Sequence, residues 1–251
     1  MSLGSDIVFV VLLGVILTIS LGALLGRIAG YGSSFGVLTG GSVGICGASA
    51  AMAISTVIPS HKDHERNTTF IVLTVTALST VAMVIYPILS VSLDLDKFEA
   101  GVFLGGTIHD VAQVVGAGYS ISEETGDTAT IVKLFRVALL MPIVVGIGLA
   151  FTFASSRNEN KLSDTKKIIP WFLIAFCMFV LINSYVPGFE TLKTTLTDIA
   201  RWCLVTAISA LGIKTSIQSI MKMGFKPFSI IFAETIFICV WVLVGIWWIR
   251  P

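Results

Sequence analysis

The sequence predicts an all-α, polytopic integral membrane helix bundle of about eight transmembrane segments, and three observations predict it. Hydrophobic residues make up 55% of the 251-residue chain and charged residues only 12%, against about 25% charged in ordinary soluble domains. The apolar residues gather in runs near twenty long, the length a helix needs to cross roughly 30 Å of hydrocarbon. Short polar segments separate the runs: HKDHERN at 61–67, SEETGD at 122–127 and RNENKLSDTKK at 157–167.

The first run, 6–29, opens on Asp6 rather than a basic patch and flows into a long apolar stretch, so it reads as a true span and not as a signal peptide. The second, 36–57, carries Gly36, Gly40, Gly41, Gly44 and Gly47 with Thr39, Ser42 and Ser49. Such a run suits a discontinuous helix whose exposed N–H groups face an anion near the midplane. It suits close helix packing equally well, since small-xxx-small spacing recurs at Gly40/Gly44, Gly22/Gly26 and Gly101/Gly105. The remaining spans are 68–93, 99–120, 129–154, 169–186, 196–213 and 227–249.

Segment 99–120 holds the most informative residues. An ionisable group at membrane depth costs several kcal/mol and usually marks a pathway, and here His109, Asp110 and Gln113 interrupt an apolar stretch. His109 and Gln113 are four apart and would share a helical face, with Asp110 about 100° round the same helix. The pair could exchange a proton, or an adjacent cation could hold Asp110 ionised; a polar contact that only fixes helix packing is the third reading. Lys133 and Arg136, three apart on the next helix, could bind an anion together or snorkel to the interface. Pro142 should kink that helix. Glu234 is an isolated carboxyl in the last span, with Arg201 and Lys214 as candidate partners.

If all eight segments cross, Arg27, Lys97, Arg157, Lys161, Lys166, Lys167, Lys214, Lys222 and Lys226 fall on one side, and Lys62, Arg66, Lys193 and Arg250 on the other. Positive residues are retained in the cytoplasm, so both ends of the chain would lie outside it. The net charge of +1 and the lack of a basic patch exclude nucleic acid as a partner. Cys46, Cys177, Cys203 and Cys239 lie in separate apolar runs and suggest no disulfide framework or metal site. His61 and His64 sit in a charged loop where solvation is the ordinary expectation, and no cofactor fingerprint is present.

Five motifs in order, GGSVGICGASAA at 40–51, GGTIHDVAQVVGAGY at 105–119, KLFRVALLMP at 133–142, IPWF at 169–172 and ALGIKT at 210–215, give the chain a specific resemblance. It resembles the YeiH family of membrane proteins, usually labelled sulfate exporters and similar in architecture to bile acid/sodium symporters. The resemblance implies a bacterial inner-membrane transporter of two inverted five-helix repeats, each with a broken helix crossing its counterpart near the midplane. On that model 1–97 is the remainder of the first repeat and 98–251 the second, with 36–57 and 196–213 as the crossing pair; family members carry further helices before the point where this chain begins. The implied activity is efflux or exchange of sulfate or a related anion by alternating access. Ser42, Gly44, Cys46, Gly47 and Ser49 would form the first broken-helix site, with His109 and Gln113 beside it. Lys133 and Arg136 would supply positive charge, and Asp110 with His109 would carry a coupling proton, sodium being the other candidate ion. A homo-oligomer is compatible with the GxxxG faces. Two readings from other classes are an intramembrane enzyme using His109 and Asp110, and a non-transporting membrane subunit.

Overall fold

The computed structural model describes residues 4–59, 63–156 and 224–250, with isolated positions between 178 and 206. In chain order the described helices are α1 (Ser5–Ile28), α2 (Ser33–Gly44), α3 (Ala48–Ser55), α4 (His64–Ser92), α5 (Lys97–Thr107), α6 (Val111–Ile121), α7 (Glu123–Ala138), α8 (Leu140–Ser156) and α9 (Phe225–Ile249). Among the described residues there is no strand. The protein is an all-helical, polytopic membrane protein, as predicted; the predicted spans 169–186 and 196–213 lie outside the described residues apart from those isolated positions.

Four stretches are long and apolar enough to cross a bilayer: α1, α4, α7 with α8, and α9. The α7–α8 junction falls at Leu139, three residues before Pro142. Pro142 has no N–H to offer Ala138 four residues back, so the helix is interrupted where the sequence predicted a kink.

The other four helices are too short to cross. They have 12, 8, 11 and 11 residues, and at 1.5 Å per residue each reaches about 12–18 Å, half the hydrocarbon thickness or a little more. They pair as two re-entrant hairpins. In the second, α5 runs parallel to α7 and α6 runs back against it. The Thr125 hydroxyl donates to Lys97 O at 3.0 Å, so the start of α5 lies beside the start of α7. A Cβ on Gly118, near the end of α6, would lie 2.8 Å from Gly126 Cα, also in the first turns of α7. In the first hairpin α3 folds back on α2, with Ile54 Cδ1 against Gly41, while His64 Nε2 lies 2.9 Å from Ser55 O and ties the end of α3 to the start of α4.

This corrects two of the predicted crossings: 36–57 and 99–120 each enter the membrane and return. A hydropathy window measures how long an apolar run is, not which way it points. The two hairpins enter from opposite ends of the bundle, because α4 runs from the base of the first to the base of the second. The charge sorting changes accordingly. Arg27, Arg66 and Lys226 lie at one end, where α1 stops and α4 and α9 start; Lys97 and Arg250 lie at the other, joined through Glu99.

Small residues set the packing. Gly22 and Gly26 of α1 meet Gly36 and Gly40 of α2 at backbone contact, a Cβ on Gly40 falling 2.6 Å from Thr18 O. The glycine-rich run therefore does both things proposed for it, packing at Gly36 and Gly40 and breaking at Gly47, where φ is +65°. The core around the hairpins is built from Val15, Leu38, Ile45, Ile71, Phe103 and Ile108, all buried.

Candidate functional site

The tips of the hairpins, Ile45–Cys46–Gly47 and Ile108–His109–Asp110, meet inside the bundle: a Cβ on Gly47 would lie 3.5 Å from His109 Cβ. Each tip ends one half-helix and starts another, leaving carbonyls at the C-termini of α2 and α5 and N–H groups at the N-termini of α3 and α6. Irregular backbone at membrane depth is tolerated only where protein satisfies it. Here α7 satisfies the carbonyls. Lys133 Nζ donates to Ile45 O and Ile108 O, both at 2.9 Å. Arg136 donates from Nε to Gly44 O at 3.0 Å, from Nη2 to Val43 O and Gly44 O at 2.9 and 2.6 Å, and from Nη1 to Gly106 O and Gly105 O at 2.7 and 3.2 Å.

Both side chains are 0% exposed, which rules out snorkelling. Two like helix ends, each carrying partial negative charge, are thus held together by two cations. In this conformation the guanidinium is committed to carbonyls rather than open to an anion. No carboxylate pairs with either cation among the described residues, so among those residues their bonded partners are helix-end carbonyls.

The amino ends differ. Asp110 is the N-cap of α6, its Oδ1 accepting from Ala112 N at 2.9 Å and Gln113 N at 3.4 Å. Ser79 of α4 accepts from the amides of His109 and Asp110 at 3.2 and 3.1 Å and fixes this tip. The N-cap of α3, Gly47, has no side chain to cap it, and the Cys46 sulfur lies against the Ala50 amide; Ala48 is half-buried and Ser49 exposed.

His109 belongs to the tip and not to a helix, which corrects the shared face predicted with Gln113. Its Nε2 lies 3.2 Å from Thr235 Oγ1 on α9. The Thr235 hydroxyl also lies 2.8 Å from Ile231 O, back along its own helix. Gln113 Nε2 turns instead to Thr80 Oγ1 at 2.9 Å. Of the first-hairpin candidates, Gly44, Cys46 and Gly47 are at the tip, Ser42 bonds back to Leu38 O at 2.5 Å, and Ser49 is exposed. Asp110 and His109 are neighbours without a mutual hydrogen bond. Glu234 is buried against Thr39; the expected partners Arg201 and Lys214 lie outside the described residues. In the polar loop, His64 is spent on Ser55 O, and the described residues contain no group of three metal-ligating side chains.

Sequence reasoning missed the second break and the supporting Ser79 and Thr235. The signal for the break was present. Gly36-Val-Leu-Thr-Gly-Gly-Ser-Val43 and Gly101-Val-Phe-Leu-Gly-Gly-Thr-Ile108 share one pattern, each forming the inward arm of a hairpin.

A model of the family described as conserved hypothetical protein 698 matches residues 1–231. The chain belongs to that family. Its relatives carry the label UPF0324, and it is the YeiH family indicated by the motifs. A UPF0324 membrane protein of Chlorobaculum tepidum is 51% identical over 98% of this chain and 68% of its own length. The UPF0324 membrane protein TauZ of Paracoccus denitrificans is 45% identical over 98% of this chain and 72% of its own, and a Rhizobium meliloti member is 41% identical over 98% and 71%. No solved structure matches. Within the family, then, the hairpin tips and the α7 cations fall inside the matched region.

Proposed function

We propose that this protein is a secondary transporter of a small anion, working by alternating access in a bacterial inner membrane. One observation carries the reading: two half-membrane hairpins, entering from opposite ends, meet over Lys133 and Arg136, buried cations with no carboxylate partner among the described residues. Discontinuous helices meeting at the midplane are the recurrent architecture of secondary transporters, and they place helix termini on the substrate. The shared Gly-Val-x-x-Gly-Gly pattern supports an inverted repeat in which 33–92 and 97–156 correspond, each a hairpin followed by a crossing helix. Opposite entry is what inversion of such a unit produces.

The anion is held at the N-terminus of α3, where the N-cap Gly47 leaves amides without a side-chain acceptor, beside Ala48 and Ser49 and within the positive field of Lys133 and Arg136. The Gln113 and His109 side chains flank the tips, and Asp110 caps α6 on the accessible side. Sulfate is the first substrate to test, followed by organosulfonates. Transport is preferred to intramembrane catalysis because His109 and Asp110 do not form an acid–base pair: one bonds Thr235, the other the α6 amides.

The test is flux in vesicles containing the purified protein, with sulfate inside and imposed proton or sodium gradients. Sulfate or organosulfonate movement that falls in Arg136→Gln and Asp110→Asn proteins of normal abundance supports the reading. Absence of flux of every anion from correctly folded protein overturns it in favour of a non-transporting subunit.

A further inference from the structure

Adjacent residues of α9 hold the two hairpins. Thr235 binds His109 at the tip of the second, and Glu234 binds Thr39 on the inward arm of the first. Glu234 is 0% exposed. Its carboxyl lies over Gly22, where a Cβ would fall 2.6 Å from Oε1, so the absence of a side chain on α1 creates its space. No cation is bonded to it among the described residues. On α1, α2 and α9 the nearest charged side chain to face this region is Arg27, a turn and more away and exposed at the end of α1, where its Nε bonds Ser33 Oγ. Other titratable groups of that neighbourhood are His109, bonded to the adjacent Thr235, and Cys239, one turn along α9, which faces Tyr86 of α4.

The surroundings of the carboxyl offer it few hydrogens. Thr39 Oγ1 is 3.0 Å from Gly36 O and 2.7 Å from Glu234 Oε1. A hydroxyl carries one hydrogen. Given to Oε1, it is the one hydrogen that Thr39 offers the carboxyl; given to Gly36 O, it leaves the contact with Oε1 to the proton of a neutral acid. The other oxygen, Oε2, is buried without a partner, tolerable for a neutral acid's carbonyl and costly for a carboxylate.

We propose that Glu234 is a proton-binding site of the transport cycle, protonated when α9 is packed against α2 and deprotonated when that contact opens to water. The step is one O–H bond made with a proton from water and later broken to return it; nothing is oxidised or reduced. Because Thr235 moves with Glu234, opening this contact also pulls on His109, so loading of one proton is mechanically tied to the position of both tips. The idea rests on the transport reading for its role in coupling, but the proton site itself does not.

Two measurements separate those parts. Infrared difference spectra of the full chain in lipid, recorded through a pH titration, should contain the carbonyl band of a protonated carboxylic acid at neutral pH that is missing from Glu234→Gln and shifted in Thr39→Val. The same band in Glu234→Gln, or none in the parent, overturns the proton site whatever the flux data say. In vesicles, parental sulfate flux should respond to a pH gradient. Any flux kept by Glu234→Gln should not respond, and Glu234→Asp should restore the response. Gradient-driven flux persisting in Glu234→Gln overturns coupling through this residue while leaving anion transport intact; no flux in the parent overturns transport itself.

Discussion

The Thr125 hydroxyl donates to the carbonyl of Lys97 at 3.0 Å. That bond joins the first turn of α7 to the first residue of α5. Had α5 and α6 formed one crossing helix, Lys97 would lie a membrane thickness away from Thr125, since more than twenty helical residues separate it from the α6–α7 turn. The bond therefore requires the chain to turn back at Ile108–Asp110. The same logic places Ser55 beside His64 in the first hairpin.

The hairpins make a topological prediction. Single cysteines replacing Lys97 and Glu123 in a cysteine-free background should react with a membrane-impermeant thiol reagent from one side, and cysteines replacing Tyr31 and Glu65 from the other. Labelling of positions 97 and 123 from opposite sides would mean that α5–α6 crosses the bilayer.

Arg136 should be the side chain whose loss most weakens the meeting of the tips. Arg136→Ala leaves carbonyls of Gly44, Gly105 and Gly106 without donors, and a buried unpaired group costs about 1–3 kcal/mol. Arg136→Lys should recover only part of the loss, because a single ammonium cannot span both helix ends as the guanidinium fork does. Unfolding free energies in lipid or mild detergent give the measurement. A Lys variant as stable as the parent would show that charge alone, and not the fork, holds the tips.

Glycine at 105 should be irreplaceable while glycine at 146 should not. A Cβ on Gly105 would meet the Ala129 carbonyl and lie 2.9 Å from Val132 Cβ, whereas one on Gly146 meets nothing within 4 Å. Gly105→Ala should cost about 1–3 kcal/mol through overpacking of α5 on α7. Gly146→Ala should be neutral or slightly stabilising, since alanine is the better helix former. Equal thermal stability of the two variants would contradict the close α5–α7 contact.

At the terminal end of the bundle, Arg250 clasps Glu99 and ties the end of α9 to α5. The Arg250 hydrogen bonds hold the Glu99 carboxyl below its ordinary value of 4.5, helped by the Asp96 amide and opposed by partial burial. A carboxyl lowered in the folded state stabilises the fold above its unfolded value, and that stabilisation disappears as pH falls through the folded value. Acid should therefore loosen this clasp, and Glu99→Gln, which keeps an acceptor for the helix cap, should flatten the acid limb of a melting-temperature profile. An unchanged acid limb would remove Glu99 from the account. The effect should be small and salt-sensitive, because the Arg250 partner is exposed to water.

The sequence by itself determined the solvent. A composition of 55% hydrophobic residues, gathered in runs of membrane length, requires helices that satisfy their own backbone. It also marked the charge at 109–110 as needing a partner or a cavity, left Lys133 and Arg136 open between an inward site and the interface, and showed that the glycine run at 36–47 has to break, pack or both. The repeated Gly-Val-x-x-Gly-Gly pattern made the second break legible as well, had 101–108 been compared with 36–43.

Direction of travel was decided only by tertiary structure. An apolar run of 22 residues satisfies a hydropathy criterion equally as one crossing or as two half-crossings, because the criterion sums transfer energies that do not depend on where the chain turns. What separates the two is whether something inside the bundle accepts the backbone exposed at the turn. Here the acceptors and donors come from afar: Arg136 reaches Val43, 93 positions away, and Thr39 meets Glu234 across 195. Contacts of that separation leave no periodicity in a sequence, since they depend on how helices pack and not on which residues follow one another.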